Sequence, residues 1–262
     1  MTRVLVVGAS GYLGGEVARL ASVAGPDVTG TSSADLDITD RSAVLSLVRE
    51  LRPDVLVNCA YRADSWAICA DGAAHVALAA ADVGARLVHV STDALHAGRP
   101  TPYLDDDEPT PVHRYGAAKA AAETAVAAID PAAAIVRTSL IIGDDRSKQI
   151  QLALDLSTGR RSGALFSDEF RCPVAVADLA AAVLELAASG YSGTINVAGP
   201  EALSRADLGR LVAAAHGLDP SAVPVSTIAE SGLGARPADV RLDSARAAAL
   251  LRTPLRPASD CI

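Results

Sequence analysis

Aromatic residues are scarce in this 262-residue chain: 3% in all, with five tyrosines, two phenylalanines and a single tryptophan, Trp66. Long hydrophobic runs are missing too. Half of the residues are hydrophobic, yet charge or glycine interrupts every apolar run well before the roughly 20 residues that a membrane-spanning helix needs. The chain therefore reads as soluble, with no membrane partner.

Cysteine is thinly used. Cys59, Cys69, Cys172 and Cys261 show no CxxC or Cys/His spacing, which argues against a disulfide framework or a metal site. The opening MTRVLVVGASGYLGG runs into a glycine-rich loop instead of a small-residue cleavage site, so no secretion signal is expected. Together these point to a reduced, cytoplasmic setting. A surplus of positive charge is also lacking: the net charge of −8 disfavours nucleic acid as a partner. The run Asp105, Asp106, Asp107, Glu108, set between prolines, reads as a solvated loop.

What is present is a regular alternation of β-branched runs and alanine-rich helical stretches, the pattern of a parallel sheet. Strands are expected at 3–7, 27–31, a short 36–38, 54–60, 86–92, 133–142 and 194–199. Helices are expected at 12–24, 41–51, about 66–83, 114–129, 176–188 and 205–216. The expected fold class is α/β, a Rossmann-type doubly wound sheet. Residues 1–142, with 173–200 returning to them, would form the dinucleotide-binding part, and the polar stretch 143–172 with 201–262 a small substrate lobe. Residues 93–113 hold four prolines and read as a long, functional loop.

The first strand ends in Gly8-Ala9-Ser10-Gly11-Tyr12-Leu13-Gly14. Lying between a strand and a helix, this GxxGxxG spacing suits a pyrophosphate: glycines allow the tight turn and close packing, and free amides at the helix start bind anions. No acidic residue ends the second strand, where a carboxylate would meet the adenosine ribose of NAD(H). Thr31 and Ser32 stand there and tolerate a 2′-phosphate, so NADP(H) is favoured and NAD(H) allowed. Asp37, followed by Ile38, is placed either to meet the adenine or to cap the turn before the helix at 41–51. Cys59, Ala60 and Tyr61, in VNCAY, would run beside the cofactor.

Tyr115 and Lys119, in RYGAAKAAAE, are four apart and so share one face of a helix. Ser91-Thr92-Asp93 follows a strand, placing a hydroxyl at the carboxyl edge where open α/β sheets bind ligands. His96 and His113 flank the long loop and read as bystanders, and Trp66 as packing or as lining the pocket.

In this order, GASGYLG, VNCAY, STD and YGAAK resemble the extended short-chain dehydrogenase/reductase family, and its dTDP-4-dehydrorhamnose reductase-like subgroup in particular. The resemblance continues through STDALHAG, PTPVHRYGAAKAAAE, VRTSL, DEFRCPV, VAGPEALSR and RPADVRLDSAR. It implies hydride transfer between a nicotinamide and a carbonyl of a nucleotide sugar or similar small molecule. Tyr115 would be the proton donor. Lys119 would hold the nicotinamide ribose and lower the Tyr115 pKa, and Thr92 would bond the reacting oxygen. Asp93, Arg171 and Arg236 are the expected substrate-binding residues, the arginines by bidentate pairing with phosphate or carboxylate.

Three positions depart from the subgroup: Cys69 where an Asn relay is common, Ala94 where a Tyr follows STD, and Leu140 where a Trp follows RTS. They leave open an NADP-binding regulatory subunit without turnover, like the beta subunit of methionine adenosyltransferase. An epimerase or dehydratase that returns its hydride also stays open, and a homodimer is allowed.

Overall fold

A computed structural model describes residues 2–262. The twelve strands are β1 (Arg3–Val7), β2 (Asp27–Thr31), β3 (Val55–Asn58), β4 (Arg86–Val90), β5 (Ala134–Arg137), β6 (Ile141–Ile142), β7 (Leu165–Phe166), β8 (Phe170–Arg171), β9 (Val174–Ala175), β10 (Gly193–Asn196), β11 (Leu203–Ser204) and β12 (Val225–Ser226). The helices are α1 (Tyr12–Val23), α2 (Arg41–Leu51), α3 (Gly72–Val83), α4 (Arg114–Ile129), α5 (Lys148–Ser157), α6 (Val176–Ala188), α7 (Arg205–Ala215) and α8 (Ala245–Leu250). Six strands form one parallel sheet in the order β10-β5-β4-β3-β1-β2. The order reverses at β1, which pairs with β2 on one side and β3 on the other, and the crevice beyond those strand ends is where such sheets bind ligands.

Alternation along the strands divides the core in two. Leu5, Val7, Leu56 and Leu87 face a layer that includes Val44, Val76, Ala80 and Val126 of α2, α3 and α4. Val4, Val6, Val57, Val88 and Val136 face Val17 of α1 and Leu179, Val183 and Leu186 of α6. A sheet buried on both faces accounts for the near-continuous apolar strands.

The expected strand at 36–38 is a turn. Leu36 and Ile38 are buried around an exposed Asp37, an alternation that mimics a strand. Aspartates take the amides instead: Asp35 accepts from Ser32, Asp37 from Thr39 at 2.9 Å, and Asp40 from Ser42 and Ala43 as the N-cap of α2. The strand expected at 133–142 breaks after Arg137. There Thr138 turns its hydroxyl to the Val197 carbonyl, and Ile141–Ile142 leave the sheet to pair with β9. The helix expected at 66–83 starts as a π-helical turn, Ala67–Asp71, before α3; such turns cluster at functional sites.

Within 143–172, read as polar, lies α5, capped by the Ser147 hydroxyl and burying Ile150, Ala153 and Leu156. With Leu165, Leu208, Val212 and Val223 these residues form a separate apolar cluster, a small lobe set beside the sheet. Ala247 and Leu251 pack in the sheet-side core with α6.

The acidic run is no solvated loop. Asp105 is buried and accepts from the Asn196 amide at 2.6 Å, Asp106 pairs with Arg246, and Asp107 pairs with Arg99. Arg137, itself buried against Glu123 at 2.8 Å, donates to the carbonyls of Asp105 and Asp107. The segment thus latches the long loop to β5 and β10.

Candidate active site

The glycine turn lies in the crevice between β1 and β3. Gly8 has φ +86°, and a Cβ there would lie 2.8 Å from the Ala60 amide; a Cβ on Gly14 would lie 2.2 Å from the Gly8 carbonyl oxygen. Only glycine lets α1, β1 and the end of β3 approach this closely. The Gly8 and Ala9 amides donate to the Thr31 carbonyl, both at 2.9 Å, which ties the turn to the end of β2. α1 has no side-chain cap and no acidic residue in its first turn, so the Tyr12, Leu13 and Gly14 amides stay free for an anion.

A dinucleotide fits this cradle. Its pyrophosphate would meet those amides, and the buried Thr31 hydroxyl, which has no partner among the described residues, is a polar group that such a ligand could satisfy. Ser10 and Gly11 complete the turn. The Tyr12 ring lies elsewhere, its hydroxyl accepting from the Asp144 amide at 3.1 Å and so joining α1 to the lobe.

At the adenosine end the structure adds a residue that the sequence reading missed. Ser32 donates its hydroxyl and its amide to Asp35, at 2.6 and 2.8 Å, so a carboxylate does stand at the end of β2. The Ser32-x-x-Asp35 spacing, in which the acid reaches back to the serine amide as in a capping box, was its signal. Asp37 is taken by Thr39, and Ile38 is buried against Gly72.

Thr92 and Tyr115 meet at the rim of β4. Thr92 caps a short 3-10 turn, Asp93–Leu95, accepting from the Ala94 amide at 3.2 Å. The Ala94 carbonyl lies so near Gly116 that a Cβ there would stand 2.3 Å from it, so the glycine after Tyr115 lets the first turn of α4 dock on this loop. His113 is the N-cap of α4, its Nδ1 accepting from the Gly116 amide at 3.0 Å, with its ring stacked 6.2 Å from that of Tyr115. The exposed Tyr61 stands 6.4 Å from Tyr115, and Lys148 of α5 lies 5.8 Å over the Tyr61 ring.

The expected electrostatics of Tyr115 need correction. Burial pushes the phenol above its ordinary range, and the hydrogen bond from Thr92 is what pulls it down. Lys119 points elsewhere: its Nζ donates to the Val90 carbonyl at 2.7 Å and lies 3.1 Å from His89 Nε2. Burial pulls Lys119 down to about 8. Beneath them, burial pushes the Cys59 thiol up to about 12. Cys69, on the π-helical turn, donates to the Arg62 carbonyl at 3.1 Å and packs with Ala118 next to Tyr115.

Asp93 is buried. Its carboxyl, raised by burial, accepts from Ser139 at 2.7 Å and lies 3.7 Å from Arg171. Arg171 is buried too, donating to the carbonyls of Phe170, Pro237 and Ala238 and pairing with Glu169 at 3.2 Å. Arg236 makes a two-point contact with Glu169 at 2.9 and 3.0 Å and lies over Phe166. Both arginines thus have internal partners. Arg205, missed in the sequence, is 3.9 Å from the same Glu169. Three guanidiniums and two carboxylates leave a positive surplus on the lobe side of the cleft.

Trp66, expected to pack or to line the pocket, is exposed. It lines a polar cleft of about 480 Å³ with Arg62, Asp64, Ser65, Asp71 and Arg114, next to Tyr115 in the chain. Ala94 and Leu140 stand where the resemblance implied a Tyr and a Trp. Among the described residues no cluster of His, Cys, Asp and Glu is placed to hold a metal.

Comparison with known proteins gives concordant relatives. Residues 1–260 match the family model described as RmlD substrate binding domain. The chain is 36% identical over 243 residues to a dTDP-4-dehydrorhamnose reductase of Mycobacterium tuberculosis, covering 86% of this chain and 79% of that one. It is 32% identical over 269 residues to a dTDP-4-keto-6-deoxy-D-glucose reductase of Streptomyces niveus, covering 97% and 93%. Its structure superposes with a TM-score of 0.89, at 28% identity, on the crystal structure of a dTDP-4-dehydrorhamnose reductase from Bacillus anthracis in complex with NADP, covering 99% of this chain and 96% of that one.

Proposed function

The chain belongs to the RmlD substrate binding domain family, and from that membership and the site geometry we propose that it is an NAD(P)H-dependent reductase of a nucleotide-linked keto sugar. The observation that carries this reading is the meeting of Thr92 and Tyr115 at the carboxyl edge of β4, one strand from the crevice that holds the glycine turn.

Gly8 to Gly14 and Thr31 would hold the dinucleotide, with Ala60 and Tyr61 alongside it. Bound there, the nicotinamide supplies the hydride to the carbonyl carbon. The rest is the work of this chain. The Tyr115 phenol gives its proton to the carbonyl oxygen as charge develops there. Thr92, whose hydroxyl lies beside the phenol, offers its single proton to the substrate oxygen as a second bond. The surplus charge among Arg171, Arg205 and Arg236 suits a nucleotide diphosphate, which would pull on guanidiniums now shared with Glu169.

The test is NADPH oxidation with a dTDP-linked 4-keto-6-deoxy sugar. Wild type consumes NADPH stoichiometrically, and Tyr115→Phe loses about 10²- to 10⁴-fold in turnover. Undiminished turnover in the variant refutes the assignment of the proton donor. Absence of net NADPH consumption in wild type refutes the reductase reading and returns the field to an epimerase or a regulatory subunit.

A further inference from the structure

Under the candidate site lies a buried row of polar groups whose hydrogen bonds all run one way. The Ala60 amide donates to Asn58 Oδ1 at 3.1 Å, which fixes the carboxamide with its nitrogen toward His89. Asn58 Nδ2 lies 3.3 Å from His89 Nδ1, and as a carboxamide nitrogen can only donate, Nδ1 must accept. The proton of a neutral His89 ring is then on Nε2. Burial alone holds His89 well below its ordinary pKa, so the neutral ring is the relevant one.

Nε2–H points at Lys119 Nζ, 3.1 Å away. An ammonium has three donors and no acceptor, so a charged Lys119 in this position would set donor against donor. A neutral amine satisfies the row: it accepts from His89 and donates to the Val90 carbonyl at 2.7 Å.

We propose that His89 is a positioning residue that holds Lys119 as a neutral amine, turned away from Tyr115, in the cofactor-free protein, and that nucleotide binding adds one solvent proton to Lys119 and thereby frees its side chain from the contact with His89. The second half rests on the reductase reading; the first does not. No bond other than N–H is made: a proton from solvent converts the amine to the ammonium. Phosphates arriving at the glycine turn bring negative charge to the cleft and favour that ammonium. Once charged, Lys119 can no longer accept from Nε2–H and swings toward acceptors on the cleft side.

The groups facing Lys119 are His89 and the Val90 carbonyl from β4, Cys59 from the end of β3, Cys69 from the π-helical turn, and Glu123 of its own helix, whose carboxylate Arg137 already holds. Glu123 is the one carboxylate among these facing groups. Burial brings the lysine down to about 8, and the Nε2–H donor set against an ammonium takes it lower still.

The chain has only two lysines, Lys119 and Lys148, the latter half-exposed beside Tyr61, which makes the test clean. Protein labelled at lysine 13Cε gives two resonances, assigned with Lys148→Arg. In the free protein the Lys119 midpoint is expected below pH 7, well under that of Lys148, and 15N spectra of His89 should show the Nε2–H tautomer; a Lys119 midpoint above 7 leaves the ammonium in place and overturns the proposal. Saturating NADP+ should raise the Lys119 midpoint by at least one unit. His89→Gln, whose carbonyl oxygen can accept from an ammonium, should raise it in the free protein. Should that variant not fold, the wild-type titration and tautomer decide alone. Titration of Lys119 together with Lys148, or an Nδ1–H tautomer at His89, overturns the proposal. If NADP+ fails to bind, the reductase reading and the proton-uptake arm fall, while the free-protein spectra still decide the His89 assignment.

Discussion

Ser32 gives both its hydroxyl and its amide to the carboxylate of Asp35, at 2.6 and 2.8 Å, just past the end of β2. This places a negative charge where the adenosine ribose of a bound dinucleotide would be read. Its hydrogen bonds hold the carboxyl below the usual carboxylate range, so it is ionised at neutral pH. A carboxylate there suits a ribose diol and repels a 2′-phosphate. Asp35→Ala should therefore raise the preference for NADPH over NADH about tenfold, measured as the ratio of dissociation constants, chiefly by tightening NADPH. An unchanged ratio would place the ribose away from Asp35.

Gly14→Ala tests the cradle itself. The added methyl would lie 2.2 Å from the Gly8 carbonyl oxygen, a backbone atom that moves only if α1 shifts on β1. Overpacking of this kind costs about 1–3 kcal/mol. The loss should appear in urea unfolding together with weaker NADP+ binding, because the same shift disturbs the amides of Tyr12 and Leu13. Gly15→Ala, where the new methyl would stand 3.1 Å from the Ala9 carbonyl, should cost less.

Arg137 and Glu123 form the most deeply buried ion pair described, with side chains 4% and 6% exposed. Arg137→Met should destabilise by about 3–5 kcal/mol, because it strands the Glu123 carboxylate and releases the carbonyls of Asp105 and Asp107. Adding Glu123→Leu should recover part of the loss in chemical denaturation. If the two changes were simply additive, the pair would carry no coupling.

The sheet was legible because buried parallel strands and amphipathic helices leave strong periodic signals, as at RVLVV and in the helix of residues 176–188. What misled was local chemistry that copies those signals. Leu36 and Ile38 alternate like a strand, while three aspartates fold the segment into turns. The Asp105 to Glu108 run looks solvated, and only the long-range approach of Arg99, Arg137 and Arg246 shows otherwise. In the site, the glycine turn and the Tyr115/Lys119 spacing are local patterns and could be read. The direction of Lys119 could not, because it depends on His89, thirty residues away, and on an amide orientation fixed by Ala60. Arg171 looked like a free anion-binding residue because nothing in DEFRCPV reveals that its guanidinium meets the carbonyls of residues 237 and 238.

His96 provides a pH test of the long loop. The ring is fully buried and stacked 3.9 Å from Tyr103, and neither nitrogen makes a formed hydrogen bond among the described residues, the backbone of Glu108 offering only a partial acceptor. Burial, aided by the nearby Arg137, pulls its pKa down to about 4. In the unfolded chain the same ring titrates near its ordinary value of about 6.5. Between these two values the unfolded state binds more protons, so stability falls as pH drops from about 6.5 toward 4 and is fully present above that window. The difference corresponds to on the order of 3 kcal/mol. His96→Leu removes the titration and keeps an apolar body against Tyr103. Its unfolding free energy should therefore be flatter than that of wild type between pH 7 and pH 5, measured in urea. Parallel pH profiles for the two proteins would show that the ring is protonated, or solvated, in the folded state.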